Sequence, residues 1–357
     1  MEYEITPEIN GCPGTPFTLT VQVNPTPVVT SAATKMVCDG EAIDYTITSS
    51  TVDPGLQFNW SRAAVGGISN PATNSTGSYI NESLNNTSTE PVDVEYVITP
   101  RLNGCDGTPF TLTVTVNPTP VVTSAATANV CDNTALGYTI TSSTADGALQ
   151  FDWSRNIVAG ISNGFGSGST ALINEVLDNT TDNDVNTVYL LEPSINGCNG
   201  TPANLTVTVE PTPKVSWTNT TATVCNDGNV NLTVGSPTVP SVPADLTFDV
   251  VVTSTDDANL GGAASFDLND VSVGHVINGN LTNSSNAPIT VTYTVTPKLA
   301  GCASGVAVPT TVIVYPKPNV ITTNNKPAFP TGEATDILLN GDVAGTTFGW
   351  RVLNPGS

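Results

Sequence analysis

Residues Tyr96–Arg155 read YVITPRLNGCDGTPFTLTVTVNPTPVVTSAATANVCDNTALGYTITSSTADGALQFDWSR, and residues Tyr3–Arg62 read YEITPEINGCPGTPFTLTVQVNPTPVVTSAATKMVCDGEAIDYTITSSTVDPGLQFNWSR. The two run in register, 93 residues apart. A third copy begins at Tyr189 (YLLEPSINGCNGTPANLTVTVEPTP), again 93 residues on, and a diverged fourth at Tyr293 (YTVTPKLAGCASGVAVPTTVIVYPKP), 104 further. The tyrosine precedes the cysteine by nine residues in every copy: Tyr3/Cys12, Tyr96/Cys105, Tyr189/Cys198 and Tyr293/Cys302. A fixed spacing around changing residues implies one strand and one turn built the same way each time.

A period near 93 is too long for a solenoid rung and suits a β-sandwich of about 100 residues. The segments DYTITSS, LQFNW, VEYVITP and FTLTVTVNP are β-branched and apolar over short stretches bounded by Gly, Asn, Asp and Pro. The best helical candidate, Ala171–Asn179, is short and matches SYINESLNN in the preceding copy, which reads as an exposed loop or strand. The chain is therefore expected to be all-β, in tandem sandwiches. Proline-rich junctions at Asn24–Pro27, Asn117–Pro120, Glu210–Pro213 and Tyr315–Pro318 fix φ and give stiff connections, so the sandwiches should follow one another as an elongated rod. This divides the chain into a repeat tail (1–26), three complete repeats (27–119, 120–212 and a diverged 213–317) and a repeat head (318–357). Met1 falls where the next copy has Val94, so the chain reads as a piece of a longer array.

Composition excludes several classes of partner. Of 357 residues, 9 are Lys or Arg and 31 are Asp or Glu, a formal net charge of −22. Nucleic acid and anionic lipid both need a cationic patch, so neither is expected. Charged residues make up only 11% of the chain, so its polar surface is mostly Thr and Asn. No apolar run approaches the ~18–20 residues of a membrane span, and the first residues carry no signal-peptide pattern. Direct membrane insertion is not expected.

The combination of V-C, F-x-W, Y-x-x-T-P, N-G-C-x-G-T-P-F-T-L-T-V and N-P-T-P resembles the PKD-like, immunoglobulin-like repeats of Bacteroidota surface proteins. It is similar in particular to the giant gliding-motility adhesins of the SprB type, exported by the type IX route. The resemblance implies a cell-surface location, a role in attachment and gliding, and no catalytic residues. Its third complete repeat departs from the pattern, with Val250 where Trp60 and Trp153 stand and about ten inserted residues.

Cysteines 12, 38, 105, 131, 198, 225 and 302 recur with the repeat, as expected for disulfides in an oxidising, extracellular setting. No C-x-x-C spacing points to zinc. Two pairings are open. Within repeats, Cys38–Cys105, Cys131–Cys198 and Cys225–Cys302 would form; across linkers, Cys12–Cys38, Cys105–Cys131 and Cys198–Cys225. Pro330 stands where the next V-C cysteine would fall and would orphan Cys302 in the second scheme, which favours the first. A repeated Lys–Asn isopeptide bond is excluded, because no lysine lies between 120 and 212.

Trp60, Trp153 and Trp350 each follow a phenylalanine by two residues, which places both on one face of a strand and in the core rather than on a sugar-stacking platform. Tyr96, Tyr189 and Tyr293 are expected in the same cores. Trp217, just after a linker, reads as an inter-domain contact or a ligand platform. The single histidine, His275, has no nucleophile motif around it and reads as a surface residue. Asp256/Asp257 and Asp182/Asp184 are the candidates for calcium, but neither forms an EF-hand loop or recurs in register; no other cofactor is expected. The N-x-S/T triplets at Asn59, Asn74, Asn86, Asn179, Asn204 and Asn231 carry little weight in so Thr- and Asn-rich a chain. Three functions fit. One is a non-enzymatic adhesive filament whose partners are surface polysaccharide or the substratum and motility proteins. The second is a binding module gripping polysaccharide or protein through Val65–Asn85, Val158–Asn174 or Ser254–Asn280. The third is the stalk of a secreted hydrolase.

Overall fold

The computed structural model describes residues 1–353. Among them the regular structure is β-strand, apart from one 3-10 turn at Pro243–Asp245. The decisive pattern is alternation: Val92–Leu102 buries every second residue, with Val94, Tyr96, Ile98 and Leu102 fully inside, so one face packs and the other meets water.

The first sandwich has a main sheet of strands Thr34–Cys38, Phe110–Asn117, Val92–Leu102, Leu56–Arg62 and Thr73–Thr76, in that spatial order. Its first strand runs parallel to Phe110–Asn117, and the other neighbours are antiparallel. The opposing layer is slight. It consists of the pair Tyr45–Thr46 and Tyr79–Ile80 with single bridges Val29↔Ser49 and Ala42↔Ser83. Ile43, Ile80 and Leu84 from that layer close on Tyr96, Ile98, Leu112 and Val114.

The second sandwich repeats the first register for register: Tyr189 faces Arg155 as Tyr96 faces Arg62, and Pro193 faces Phe151 as Pro100 faces Phe58. Of the loop and strand readings of Ala171–Asn179, the strand holds in part, and the segment is not wholly exposed. Leu172–Ile173 pairs with Tyr138–Thr139, and Ile173 and Leu177 are fully buried. The third sandwich keeps the main sheet and gains a real second one, in the order Ser216–Asn219, Gly228–Gly235, Val276–Asn283, Leu260–Gly261.

Glu2–Ile5 pairs with Phe17–Thr20, and Val320–Asn324 with Ile337–Gly341, each as a two-stranded ribbon with largely exposed side chains. Trp350 does not enter a core: it is 80% exposed, and among the described residues no second layer covers the ribbon beside it. The chain exposes 19911 Å². A single compact body of this mass would expose about 13,500 Å², so the three cores are strung out rather than merged.

Candidate functional site

Each N-G-C segment folds as a tight hairpin. Leu102 pairs with Cys105 across Asn103–Gly104, and both turn residues have positive φ (46° and 89°); Asn196–Gly197 repeats this at 49° and 82°. Two successive positive-φ residues define the type I′ turn, which Asn-Gly adopts most readily. The turn holds its cysteine at one pole of the sandwich. Gly200 donates its N–H to Pro193 O at 2.7 Å, while Thr201 donates to Pro120 O at 2.9 Å, tying that hairpin to the incoming linker.

The V-C cysteine lies at the other pole. Cys38 ends the strand Thr34–Cys38 directly beside Asn117, the last residue of Phe110–Asn117. Asp39 N donates to Asn117 O at 2.9 Å, and Thr119 Oγ1 donates to Asp39 Oδ2 at 3.2 Å, so the cysteine is fixed to the outgoing linker. Along that linker the hairpin of the next sandwich arrives. Asn196 Nδ2 donates to the buried Asn117 Oδ1 at 2.9 Å, and Cys38 is bonded to Cys198, with Cα atoms 5.4 Å apart. The next junction repeats the arrangement, with Cys131 bonded to Cys302 at a Cα separation of 5.6 Å.

These two bonds overturn both pairings read from the sequence: neither Cys38–Cys105 nor Cys131–Cys198 nor Cys225–Cys302 forms, nor does Cys12–Cys38, Cys105–Cys131 or Cys198–Cys225. Cys12, Cys105 and Cys225 are exposed free thiols. The physical reason is polarity. Within one sandwich the eight-residue strand Phe110–Asn117 separates the hairpin end from the V-C end by about 26 Å at ~3.3 Å per residue, whereas disulfide Cα atoms lie within about 7 Å. The clue available in the sequence was the position of N-G-C just before that strand; that V-C lies alongside its far end is given only by the strand pairing.

The second junction carries further contacts. Lys214 Nζ lies 2.6 Å from Asp182 Oδ1, Val239 N donates to Asp182 O at 2.8 Å, and Ser241 N donates to Asp184 Oδ2 at 2.7 Å. Glu210 replaces Asn117 in register, beside Cys131, and its Oε2 lies 3.1 Å from the Cys302 sulfur. Burial pushes the Glu210 carboxyl above its ordinary range, and the charges of Asp184 and Asp245 push the same way. Cys131, Glu210 and Cys302 have the residue types of a metal centre, but their sulfurs are joined to each other and offer no thiolate. Of the calcium candidates, Asp182 is held by Lys214 and Asp256 accepts from Asn259 Nδ2 at 2.8 Å.

Inside the first two sandwiches lies a network the sequence reading missed. Arg62 grips Glu82 through Nη2 at 2.6 Å and Nε at 3.0 Å, and Tyr96 OH donates to Glu82 Oε2 at 2.6 Å. Arg155, Glu175 and Tyr189 repeat it. Trp60 and Trp153 are half-buried, edge-on or tilted against Tyr96 and Tyr189 at 5.9 and 5.8 Å. Tyr96, Tyr189 and Tyr293 are fully buried. In the third sandwich Val252 holds the place of Arg62 opposite Tyr293, whose hydroxyl donates to Ala264 O instead. Trp217 is neither a contact between sandwiches nor a platform: it packs on the third core and donates to Val308 O at 3.0 Å. His275 sits half-buried in the turn before Val276–Asn283.

The sequence profile of the PKD-like domain matches residues 1–27, 35–120 and 128–213. No curated protein sequence matches the chain. Among solved structures, the human desmocollin-1 ectodomain aligns at 12% identity over 82% of this chain and 62% of its own, with a TM-score of 0.35. This chain thus spans under two thirds of that ectodomain. The I67–I69 fragment of titin aligns at 9% identity over 83% of this chain and 100% of its own (TM-score 0.37), and mouse cadherin-23 EC22-24 at 12% over 82% and 99% (TM-score 0.33). At those scores the likenesses say nothing about what this chain binds.

Proposed function

The chain belongs to the PKD-like domain family, and from that premise we propose that it is a non-enzymatic, extracellular length of a bacterial surface adhesin or filament that supports attachment and gliding. The observation that carries this reading is the pair of disulfides joining each sandwich to the next. A string of domains braced covalently across its linkers bears load and keeps reach, and the bonds fit an oxidising compartment outside the cell. Among the described residues no helix is long and apolar enough to cross a membrane. The low-charge Thr/Asn surface makes many weak hydrogen bonds to hydrated polysaccharide, and repetition along one chain turns weak contacts into avidity. The likeness of the repeat motifs to those of gliding adhesins supplies the motility part of the proposal.

The experiment is to delete the gene in its host, or block the surface protein with antibody, and follow cells on glass and on agar. Loss of attachment or spreading is expected. Normal behaviour in both assays overturns the adhesion and gliding reading and leaves a surface-coat or stalk role.

A further inference from the structure

Both bonds obey one rule: the V-C cysteine of a sandwich pairs with the turn cysteine (N-G-C at Cys198, A-G-C at Cys302) of the sandwich that follows. Applied to the whole chain, the rule leaves over Cys12, Cys105 and Cys225, and these are the three free thiols. Two of them sit in seats already built. Cys225 ends a strand parallel to Val308–Tyr315 and lies opposite Tyr315, as Cys38 lies opposite Asn117 and Cys131 opposite Glu210. Cys105 lies on its type I′ hairpin, whose tip Asn103 donates to Asn24 Oδ1 at 3.4 Å, as Asn196 donates to Asn117 beside the closed Cys38–Cys198 bond. Each is one half of a clasp whose complete form stands elsewhere in the same molecule.

We propose that Cys225 and Cys105 are the open halves of two further clasps, each closing on another PKD-like repeat. Cys225 takes a hairpin cysteine of the N-G-C type. Cys105 takes a cysteine ending a strand laid parallel along Phe17–Thr20 and finishing beside Asn24. The link has a direction, V-C to N-G-C, so it joins repeats head to tail and never like to like. The proposal rests on the clasp reading given above.

Closure needs a two-electron oxidant, here a low-molecular-weight disulfide such as oxidised glutathione. The Cys225 thiolate attacks one of its sulfurs, releasing one glutathione thiolate and leaving a mixed disulfide. The incoming hairpin thiolate then displaces the second glutathione. Two thiols become one disulfide, and their two protons pass to the two displaced glutathione thiolates, so one oxidised glutathione becomes two reduced ones.

A second copy of the chain serves as the probe, because it carries the hairpin thiols Cys12 and Cys105. The full chain is held at high concentration in a glutathione redox buffer, quenched with acid and alkylating agent, and mapped by non-reducing peptide digestion. Intermolecular peptides joining Cys225 to Cys12, the hairpin cysteine with no docked partner strand, are expected, and Cys225→Ser should remove at least nine-tenths of the covalent dimer. Cys225–Cys225 or hairpin–hairpin links in comparable yield overturn the proposal. So does the absence of any intermolecular bond while all three thiols alkylate freely. The same digest reports Cys38–Cys198 and Cys131–Cys302. Their absence would sink the clasp reading itself; their presence without directed Cys225 links would sink only this inference.

Discussion

Cys38 and Cys198 stand 160 residues apart in sequence and belong to different sandwiches, yet their Cα atoms are 5.4 Å apart. In the chain-entropy picture, closing so long a loop removes about 5 kcal/mol worth of unfolded-state freedom, less where the loop overlaps that of Cys131–Cys302. Replacing Cys38 and Cys198 together by Ala should lower the denaturation midpoint, with a loss of at most about 5 kcal/mol. The cores of the separate sandwiches should persist, because neither cysteine belongs to the packed clusters of the first two sandwiches, although Cys198 is itself buried. Urea titration followed by tryptophan fluorescence measures both.

Removing Arg62 leaves the Glu82 carboxylate inside without its partner. Arg62→Ala should cost about 3–5 kcal/mol in the first sandwich, whereas Arg62→Val with Glu82→Leu should recover most of that. The third sandwich already folds with Val252 in the arginine's place. Thermal unfolding of the two variants beside the parent checks the ordering.

Two carboxyls give stability opposite slopes with pH. Burial pushes Glu175 up, but hydrogen bonds from Arg155 and Tyr189, aided by the arginine charge, outweigh it and hold the group below its ordinary range. Its contribution is present above the unfolded value and is lost as pH falls through the folded one. Glu210 is raised, so its penalty is absent at acid pH and grows as pH rises through the carboxylate range. Glu210→Gln should therefore stabilise the second junction at neutral pH and lose that advantage near pH 4, while Glu175→Gln should show the reverse trend. Denaturant midpoints between pH 3 and 7 test both.

Gly200 packs so tightly on the linker that an added Cβ would fall inside van der Waals contact with Pro120 O, a backbone atom that cannot swing away. Gly107 meets Pro27, and Gly305 meets Pro213, in the same manner. Gly200→Ala should cost about 1–3 kcal/mol, and more than Ala at Gly147, where nothing lies within 4 Å. Matched thermal melts decide it.

Pulled from its ends, the oxidised chain should yield little length. Between Cys38 and Cys302 the shortest covalent route runs through both bonds and the 67 residues from Cys131 to Cys198, rather than through 264 residues of backbone. At ~3.4 Å per residue that is about 230 Å against roughly 900 Å. Single-molecule extension before and after reductant should show the difference.

The strands and their recurrence were legible in the sequence because alternation and the 93-residue period both report directly on backbone geometry, as at Tyr96 and Tyr189; which strands pair, and in what register, was not. The third sandwich's second sheet was legible only as an insertion. The Arg62–Glu82–Tyr96 network went unread because its members come from both layers, although all three recur 93 residues on as Arg155, Glu175 and Tyr189. Trp350 shows the converse: the residue pattern is that of a core strand, but a core needs the opposing layer. The disulfide partners escaped because pairing depends on which pole each cysteine occupies, and a linear repeat does not state how one sandwich abuts the next.

The two overlapping bonds also change what a single cut does. Joining Cys38 to Cys198 and Cys131 to Cys302 turns the backbone between them into three parallel spans meeting at two knots: 38–131, 131–198 and 198–302. A protease that nicks any one span leaves the other two holding the knots together. Severance requires a break in all three, so damage to a loop tip costs the molecule a local feature and not its continuity.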